Sequence, residues 1–277
     1  MKSILHLTDK YLPLTNTFTY DEVKYLKLFK PIFLVSKIEN LEVFPFPRKQ
    51  IYKIHYFLIK NKFYYINSKI KEKTLNIIRL LLDPILWPIV KIKLRKIIKE
   101  NNVKLIHCHW GTNAPGFLKI KEYLKLPMVT FFYRHDVSIV QKSRKKSFYK
   151  CLFKKGDLFL TESRFLGDKL IKMGCPENKL IILRQGIDLN DFRFNPKKLK
   201  KGEKIKILTV GRFTEMKGIE YAVQAFAESC KKHSNIELRL MGDGELRPKI
   251  ESLIDNLKIR NKVVMLGMQP YNKLVEE

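Results

Sequence analysis

Short apolar runs alternate with amphipathic helical patterns along most of this chain, and that alternation constrains the fold more than any other feature. Apolar runs separated by helices are typical of a parallel sheet that helices cover on both faces. The runs predict strands at 3–9, 31–37, 103–111, 126–133, 157–163, 179–186, 205–211, 236–242 and 262–267. The intervening patterns predict helices at 17–29, 114–124, 142–153, 164–173, 218–231 and 245–257. We therefore predict an α/β protein whose ligands bind at the carboxyl ends of its strands.

The alternation lapses once, over residues 189–204, which are polar and basic and contain a proline and a glycine. Such a composition predicts a linker, so we expect a first domain over 1–195 and a second over 196–277. The second domain carries only three of the predicted strands, against about five or six in an average sheet, and we expect it to be incomplete. The basic, aromatic segment 48–100 predicts a helical insertion in the first domain.

Basic residues outnumber acidic ones, with 55 Lys and Arg against 27 Asp and Glu and a formal charge of +28. This excess indicates an anionic partner such as a nucleic acid, an acidic membrane surface or a phosphorylated substrate; the alternative is a compositional bias, because Lys, Ile and Asn are all abundant. No zinc finger, RNA-recognition motif or basic helix pair is recognisable, so we predict no nucleic-acid binding. Segment 48–100 could lie on an anionic bilayer or pack on the sheet as an ordinary amphipathic helix, and the sequence leaves both open.

The cysteines and the apolar segments bear on the compartment. Four cysteines are scattered without a C-x-x-C pair, which favours a reducing cytosol. The N-terminus is too short in its apolar part for a signal peptide, and no stretch approaches the roughly twenty apolar residues of a membrane span. We expect a cytoplasmic protein, with peripheral contact to the inner face of the plasma membrane as an open alternative.

The segment 210–227, VGRFTEMKGIEYAVQAFA, carries the strongest local signal for chemistry. Arg212 directly follows a predicted strand, and Lys217 lies at the start of the next helix. A helix N-terminus presents free N–H groups and partial positive charge that suit a phosphate, and an Arg fork with a Lys charge would neutralise a diphosphate. Gly211 and Gly218 permit a close backbone approach. The alternative is that both cations are merely solvated.

This segment resembles the donor-phosphate motif of the family 4, or group 1, retaining glycosyltransferases, which have the GT-B fold. Segments 163–192, 241–254 and 263–274 are similar to other motifs of that family. Segment 11–26 resembles the acceptor loop and helix of family members that build exopolysaccharide and lipopolysaccharide, and 105–111 resembles their I-H-x-H-W strand end. The resemblance implies two Rossmann-like domains, the second incomplete.

The resemblance also implies an activity and a set of site residues. Family members transfer a sugar from a nucleotide-sugar, here UDP- or GDP-linked, to a glycan or lipid-linked acceptor, with retention at the anomeric carbon and no required metal or other cofactor. Arg212 and Lys217 would stabilise the negative charge that grows on the leaving diphosphate. The residues implied at the donor nucleotide are Gly211, Gly242, Asp243, Gly244, Met268 and Gln269. The residues implied on the acceptor side are Thr15, Asn16, Thr17, Tyr133 and Asp136.

His107 and His109 flank Cys108 and would point to one face of a strand. A metal site is one interpretation of that spacing. The sequence offers no further cluster of ligands, and the family's H-x-H pattern accounts for the pair. We therefore predict no metal site.

Two departures from the family pattern bear on the expected activity. Where the family has H-G-x-D at a strand end, this chain has YRHD over 133–136, so Tyr133 replaces a donor-contacting His, Asp136 is kept, and His135 is expected on the opposite face. The family's acidic motif, two glutamates with seven residues between them, does not appear before the sequence stops at Glu277. We expect a truncated or split enzyme that a second chain would complete. The alternative is an inactive fragment that binds donor or a membrane surface.

Overall fold

The computed structural model describes residues 1–8, 10–11, 17–42, 44–54, 72–143, 146–187, 189–192, 194, 196, 198–200 and 202–277. The chain divides into two compact units, Met1–Ile187 and Asp188–Glu277. Each unit is built on its own parallel sheet. The units are therefore described in turn.

The first unit contains a seven-stranded sheet in which every pair of neighbours is parallel. Its strands are β1 (Ser3–Leu7), β3 (Lys30–Val35), β5 (Ile51–Lys53), β6 (Val103–His109), β7 (Met128–Phe132), β8 (Leu158–Thr161) and β9 (Leu180–Ile182), while β2 (Lys10–Tyr11) pairs separately with β4 (Lys37–Ile38). The spatial order is β5-β3-β1-β6-β7-β8-β9, so the direction of winding reverses between β1 and β6. Open α/β sheets bind ligands outside the carboxyl ends of their strands at such a reversal.

Helices pack on both faces of this sheet. They are α1 (Thr17–Lys24), α2 (Glu72–Asn101), α3 (Ala114–Leu124), α4 (Arg134–Ser143), α5 (Lys150–Lys155) and α6 (Arg164–Lys172). On one face Leu5 of β1 belongs to the largest core cluster, together with Leu94 of α2. On the other face Phe33 of β3 packs in a smaller cluster with Val23 of α1. Because side chains alternate along a strand, β1 points His6 to this second face, where its ring lies 5.2 Å from that of Phe33.

The second unit contains three parallel strands, in the spatial order β10 (Ile205–Val210), β11 (Ile236–Met241) and β12 (Val263–Gly267). Its helices are α7 (Ile219–Cys230), α8 (Arg247–Asn256) and α9 (Tyr271–Glu276). Its core joins Leu240 of β11, Val223 of α7 and Ile250 of α8 around Phe213, which is fully buried. The loop after β10 is thus anchored in the core by its own aromatic side chain.

The predicted α/β fold and the predicted strands are confirmed. Two predictions of local structure are wrong. Within segment 48–100, Ile51–Lys53 is not helical; it forms the edge strand β5, in which Ile51 pairs with Phe33 of β3. The predicted helix 142–153 is not one helix. It overlaps the end of α4, which ends at Ser143, and the start of α5, which begins at Lys150. Among the described helices, none has the length and apolar character needed to cross a membrane.

Candidate functional site

The carboxyl ends of β10, β11 and β12 meet at one edge of the second sheet. The Gly211 N–H donates to the last carbonyl of β11 at 3.0 Å, and the Gly242 N–H donates to the last carbonyl of β12 at 2.8 Å. The loop after β10 is joined to the loop after β11, because the Phe213 N–H donates to the Asp243 carbonyl at 2.9 Å. The structure therefore brings the predicted donor residues of three separate sequence segments to one edge.

Two glycines permit this close approach of backbone to backbone. A Cβ at Gly242 would lie 1.9 Å from the Gly211 carbonyl oxygen, and a Cβ at Gly244 would lie 2.6 Å from the Phe213 carbonyl oxygen. Gly242 also has a φ of 140°, a conformation that L side chains rarely adopt. A side chain at either position would push the two loops apart. The glycines therefore determine the shape of the edge at which a ligand would bind.

Arg212 and Lys217 lie at this edge, as predicted from their place between a strand and a helix. Arg212 is in the loop after β10, and Lys217 ends a short 3-10 turn that enters α7 through Gly218. The Lys217 stem crosses Gly211, with its Cδ 3.7 Å from the position of a Cβ there. Both basic side chains are exposed. A solvent-facing anion at the α7 N-terminus would thus meet a guanidinium, an ammonium and backbone N–H groups.

Arg212 differs from the other described arginines of the second unit in having no carboxylate partner among the described residues. The other three are paired, Arg239 with Glu277, Arg247 with Asp243 and Glu251, and Arg260 with Asp255. Lys217 likewise forms no ion pair within the part of the chain that the structure describes. Two neighbouring cations without internal partners favour an external anion as their counter-charge.

The Asp243 carboxylate, in contrast, accepts hydrogen bonds from residues of its own turn and of the start of α8. Its Oδ1 accepts the Gly244 N–H at 2.8 Å, and its Oδ2 accepts Arg247 Nη1 at 2.8 Å. These bonds, the one from Gly244 foremost, lower the pKa of Asp243. Its carboxylate therefore orders the G-D-G turn.

Met268 and Gln269 follow β12 at the same edge, and both are exposed. The Gln269 amide donates to the backbone of β12 at 2.6 Å.

Three buried histidines lie together at the reversal point of the first sheet. His6 on β1 is opposite His107 on β6 in the parallel register, and His109 follows two residues later on the same face. The His6 Nδ1 and His109 Nε2 atoms are 3.0 Å apart. One nitrogen from each ring lies within 4.8 Å of one nitrogen from each of the others. Sequence analysis considered only His107 and His109; the alternation of side chains along the neighbouring strand β1 is the signal that could have added His6.

Glu22 of α1 is the acidic neighbour of this cluster, with its Oε1 3.5 Å from His107 Nδ1. Burial lowers the pKa of His107 to about 4. Burial also holds the pKa of His6 and of His109 well below the ordinary value, and the neighbouring rings add to this effect. Burial raises the pKa of Glu22 to about 7. The imidazoles are therefore uncharged at neutral pH, the state in which histidine binds metals.

Tyr133 and Asp136 connect the end of β7 to α4. The Asp136 carboxylate is fully buried and accepts the Tyr133 N–H at 2.9 Å, the Thr112 N–H at 2.9 Å and the Thr112 hydroxyl at 2.8 Å. An acidic residue at the third helical position that reaches back to the capping N–H is a helix-start signal. YRHD does follow the end of β7, but α4 begins at Arg134, so the prediction that His135 lies on a strand is wrong. His135, whose face was predicted from strand alternation, is an exposed helical residue.

The remaining acceptor-side predictions concern the segment before α1. Thr15 and Asn16 lie outside the residues that the structure describes, and Thr17 is the first residue of α1.

The Tyr133 ring is buried and stacks on Phe131, with centroids 4.6 Å apart. Sequence reasoning missed Thr112 and Glu22, since their roles depend on contacts with residues far away in the chain.

Two successive α/β units with parallel sheets, the second with a glycine-lined, cationic edge, are the architecture of the GT-B fold. Two family models cover consecutive parts of the chain, "Glycosyltransferase Family 4" over residues 61–191 and "Glycosyl transferases group 1" over residues 191–277. The chain belongs to these group 1 glycosyltransferases of GT-B fold.

Curated relatives that are named as glycosyltransferases support this assignment. The chain is 28% identical over 170 residues to WcaL of Escherichia coli K12, a glycosyltransferase named for colanic acid biosynthesis, a match that covers 60% of this chain and 41% of that protein. It is 28% identical over 178 residues to AmsK of Erwinia amylovora, named for amylovoran biosynthesis, with 62% and 42% covered. The chain thus spans about two-fifths of the length of these curated relatives. It shares its fold with Anabaena HepE in complex with UDP, with a TM-score of 0.69 and 15% identity over 98% of this chain and 71% of that one.

Proposed function

We propose that this chain acts in the transfer of a sugar from a nucleotide-sugar to a cell-surface polysaccharide or glycolipid acceptor, with retention at the anomeric carbon. The names of WcaL and AmsK support an exopolysaccharide acceptor. The UDP held by the structural relative HepE supports a nucleotide-diphosphate donor.

The observation that carries the proposal is the pair of cations at the carboxyl edge of the second sheet. Arg212 and Lys217 have no ion-pair partner among the described residues, and they lie where the N-terminus of α7 also favours negative charge. The backbone hydrogen bonds donated by Gly211 and Gly242 hold the loops of this edge together. A diphosphate fits this arrangement better than a carboxylate does, because it offers oxygens for both the Arg fork and the Lys ammonium.

The proposed mechanism is electrostatic. As the bond between the sugar and the diphosphate breaks, negative charge accumulates on the departing phosphate oxygens. Contacts from Arg212 and Lys217 would strengthen as that charge grows, and interactions stronger in the transition state than in the ground state raise kcat. Removal of one such donor from an anion-stabilising site lowers kcat by about 100- to 1,000-fold. Tyr133 is neutral at pH 7, because burial raises its pKa, so it would contribute no charge to the donor.

The test is calorimetric titration of the purified chain with UDP, GDP and their sugar conjugates. Arg212→Ala and Lys217→Ala should each weaken diphosphate binding by tenfold or more. Neither change should alter the weak binding of the free nucleoside, which lacks phosphate. Arg260→Ala is the matched control, because Arg260 is an exposed arginine of the same unit that pairs with Asp255.

Unchanged nucleotide affinity in both variants would reject the role of these cations. A transfer assay with the acceptor fraction then tests the reaction itself. The product should keep the anomeric configuration of the donor sugar, as read from its proton coupling constants. An inverted product would reject retention, and no transfer by the full-length protein would reject the enzymatic function.

A second candidate function, contact with an anionic membrane surface, is favoured by the exposed side of α2. Ile85, Ile89 and Ile92 follow helical spacing and are 65%, 62% and 69% exposed. The opposite side of α2 is buried through Leu94 and Ile97 in the core. Exposed lysines and an arginine follow the isoleucines toward the end of the helix. An apolar stripe beside basic side chains suits the interface of an anionic bilayer.

Vesicle sedimentation tests this surface. The chain should sediment with phosphatidylglycerol vesicles and much less with phosphatidylcholine vesicles. Replacing Ile85, Ile89 and Ile92 together with serine should reduce sedimentation by tenfold or more, with an unchanged circular dichroism spectrum. Equal sedimentation of this variant and the wild type would reject the contact.

A further inference from the structure

The histidine cluster of the first unit leaves ring nitrogens unpaired in a place where polar atoms are normally satisfied. Within the described residues, His6 Nε2, His107 Nε2 and His109 Nδ1 are buried and have no hydrogen-bond partner. The three side chains lie at the carboxyl ends of β1 and β6, where the winding of the sheet reverses. A shared ion would engage one nitrogen of each ring, and for His107 that nitrogen is Nε2, because Nδ1 faces Glu22.

Glu22 is placed to orient one of the rings. A metal-binding histidine commonly donates its second ring N–H to a carboxylate, which fixes the tautomer and directs the other nitrogen to the metal. Glu22 Oε1 lies 3.5 Å from His107 Nδ1, and this contact leaves His107 Nε2 as the nitrogen without a partner. Glu22 is itself partly exposed, whereas the three histidines are buried.

The distances are compatible with one shared ion. A tetrahedral zinc ion with Zn–N bonds of about 2.0–2.1 Å holds its nitrogens about 3.3 Å apart. The His6 Nδ1 and His109 Nε2 atoms are 3.0 Å apart. Nitrogens from the three rings lie within 4.8 Å of one another. An ion bound by these two atoms would replace the hydrogen bond between them, and small ring rotations would bring His107 Nε2 to the same ion.

We propose that His6, His107 and His109 bind one divalent transition-metal ion, best matched by Zn²⁺, and that Glu22 positions His107 through its second ring nitrogen. Imidazole nitrogens suit zinc, copper, nickel and iron, whereas magnesium and calcium prefer oxygen ligands. The ion would join β1 to β6 and, through Glu22, to α1. This site lies in the first unit and is independent of the diphosphate contacts proposed for the second unit.

The competing explanation is a cluster of neutral histidines joined by the hydrogen bond between His6 and His109. That cluster would have no specific metal affinity, and its stability would not depend on a bound ion. The two explanations differ in stoichiometry and in the spectroscopy of a bound probe ion. They can be separated without any measurement of transfer activity.

The experiment uses the full chain after treatment with a chelator and removal of that chelator. Titration with Co²⁺ should produce visible absorption bands of a tetrahedral site that saturate at one ion per chain. Zn²⁺ should remove these bands by displacement and should raise the midpoint of thermal unfolding. Absence of both effects in a folded protein would overturn the proposal.

Two variants and two controls assign the site to its residues. His107→Gln should weaken Co²⁺ binding by 100-fold or more, and Glu22→Gln should weaken it by about 10- to 100-fold with the stoichiometry retained. The controls His135→Gln and His233→Gln alter exposed histidines and should bind as the wild type does. Equal binding by the wild type and His107→Gln would overturn the proposal. If His107→Gln does not fold, Glu22→Gln decides the outcome, and wild-type affinity in that variant would overturn the role of Glu22.

Discussion

Gly242→Ala tests whether the close contact of two loops builds the proposed donor edge. The added Cβ would lie 1.9 Å from the Gly211 carbonyl oxygen and 2.9 Å from its carbonyl carbon. Both atoms belong to the backbone, so no side-chain rotation can relieve the overlap. The loops after β10 and β11 would have to separate by about 1 Å or more to reach an ordinary contact distance, and such overpacking has a cost in stability.

The expected loss of stability in Gly242→Ala has two contributions, backbone strain and overpacking. A residue other than glycine at the φ of 140° found at Gly242 costs about 1–3 kcal/mol in backbone strain. Overpacking adds about 1–3 kcal/mol, so we expect Gly242→Ala to destabilise the second unit by roughly 4 kcal/mol. Gly267→Ala is the matched control, because Gly267 has a φ of 67° and no atom within 4 Å of its Cβ position. It should cost only about 1–2 kcal/mol of left-handed strain.

Hydrogen exchange followed by mass spectrometry measures this difference on peptides from β10 and β11. Both tryptophans, Trp87 and Trp110, lie in the first unit, so their fluorescence reports that unit separately and should not change. Gly242→Ala should also weaken UDP binding. If Gly242→Ala destabilises these peptides no more than Gly267→Ala does, the loop contact does not hold the edge together and the reasoning is refuted.

Three further predictions concern single side chains. Asp136→Ala should lower the free energy of unfolding of the first unit by about 3 kcal/mol or more, because it leaves buried donors unpaired; an unchanged urea midpoint by tryptophan fluorescence would contradict the capping role. Phe213→Ala should cost the second unit about 3–5 kcal/mol, and exchange rates like those of the wild type would contradict its place in the core. Thiol labelling at pH 8 should modify exposed Cys151 far faster than Cys175, because burial raises the pKa of Cys175 to about 12; Cys151→Ser should remove the fastest phase, and its persistence would contradict this assignment.

The strands and most helices could be predicted because each is encoded over a few neighbouring residues. The run PIFLV over 31–35 is apolar enough to be buried on both faces, and this pattern alone indicates a strand of a covered parallel sheet. The edge strand Ile51–Lys53 escaped prediction because it lies in a basic, aromatic segment. Its pairing with β3, rather than its own pattern, determines its conformation.

The histidine cluster could not be predicted from local pattern, because His6 and His109 are 103 residues apart. Their proximity depends on β1 and β6 being neighbours, which follows from the spatial order of the sheet and not from either strand alone. The start of α4 failed for a different reason. YRHD does follow the end of β7, but the family analogy placed its residues on a strand, and Tyr133 is not one of the residue types that mark a helix start.

Sequence spacing alone does not show whether an arginine is paired with a carboxylate of its own chain, and Arg212 and Arg247 differ in this respect. Arg247 pairs with Glu251, four positions later on α8, as helical spacing predicts, and also with Asp243, which lies in the turn before that helix. Arg212 has Glu215 three positions later, so a rule based on spacing would pair it in the same way. Arg212 lies in the loop between β10 and the helix, where the helical spacing rule does not apply, and no ion pair between Arg212 and Glu215 forms in the described structure. The charge of Arg247 is used to order a turn, whereas Arg212 has no carboxylate partner among the described residues, and this difference supports the proposal that Arg212 binds an anion.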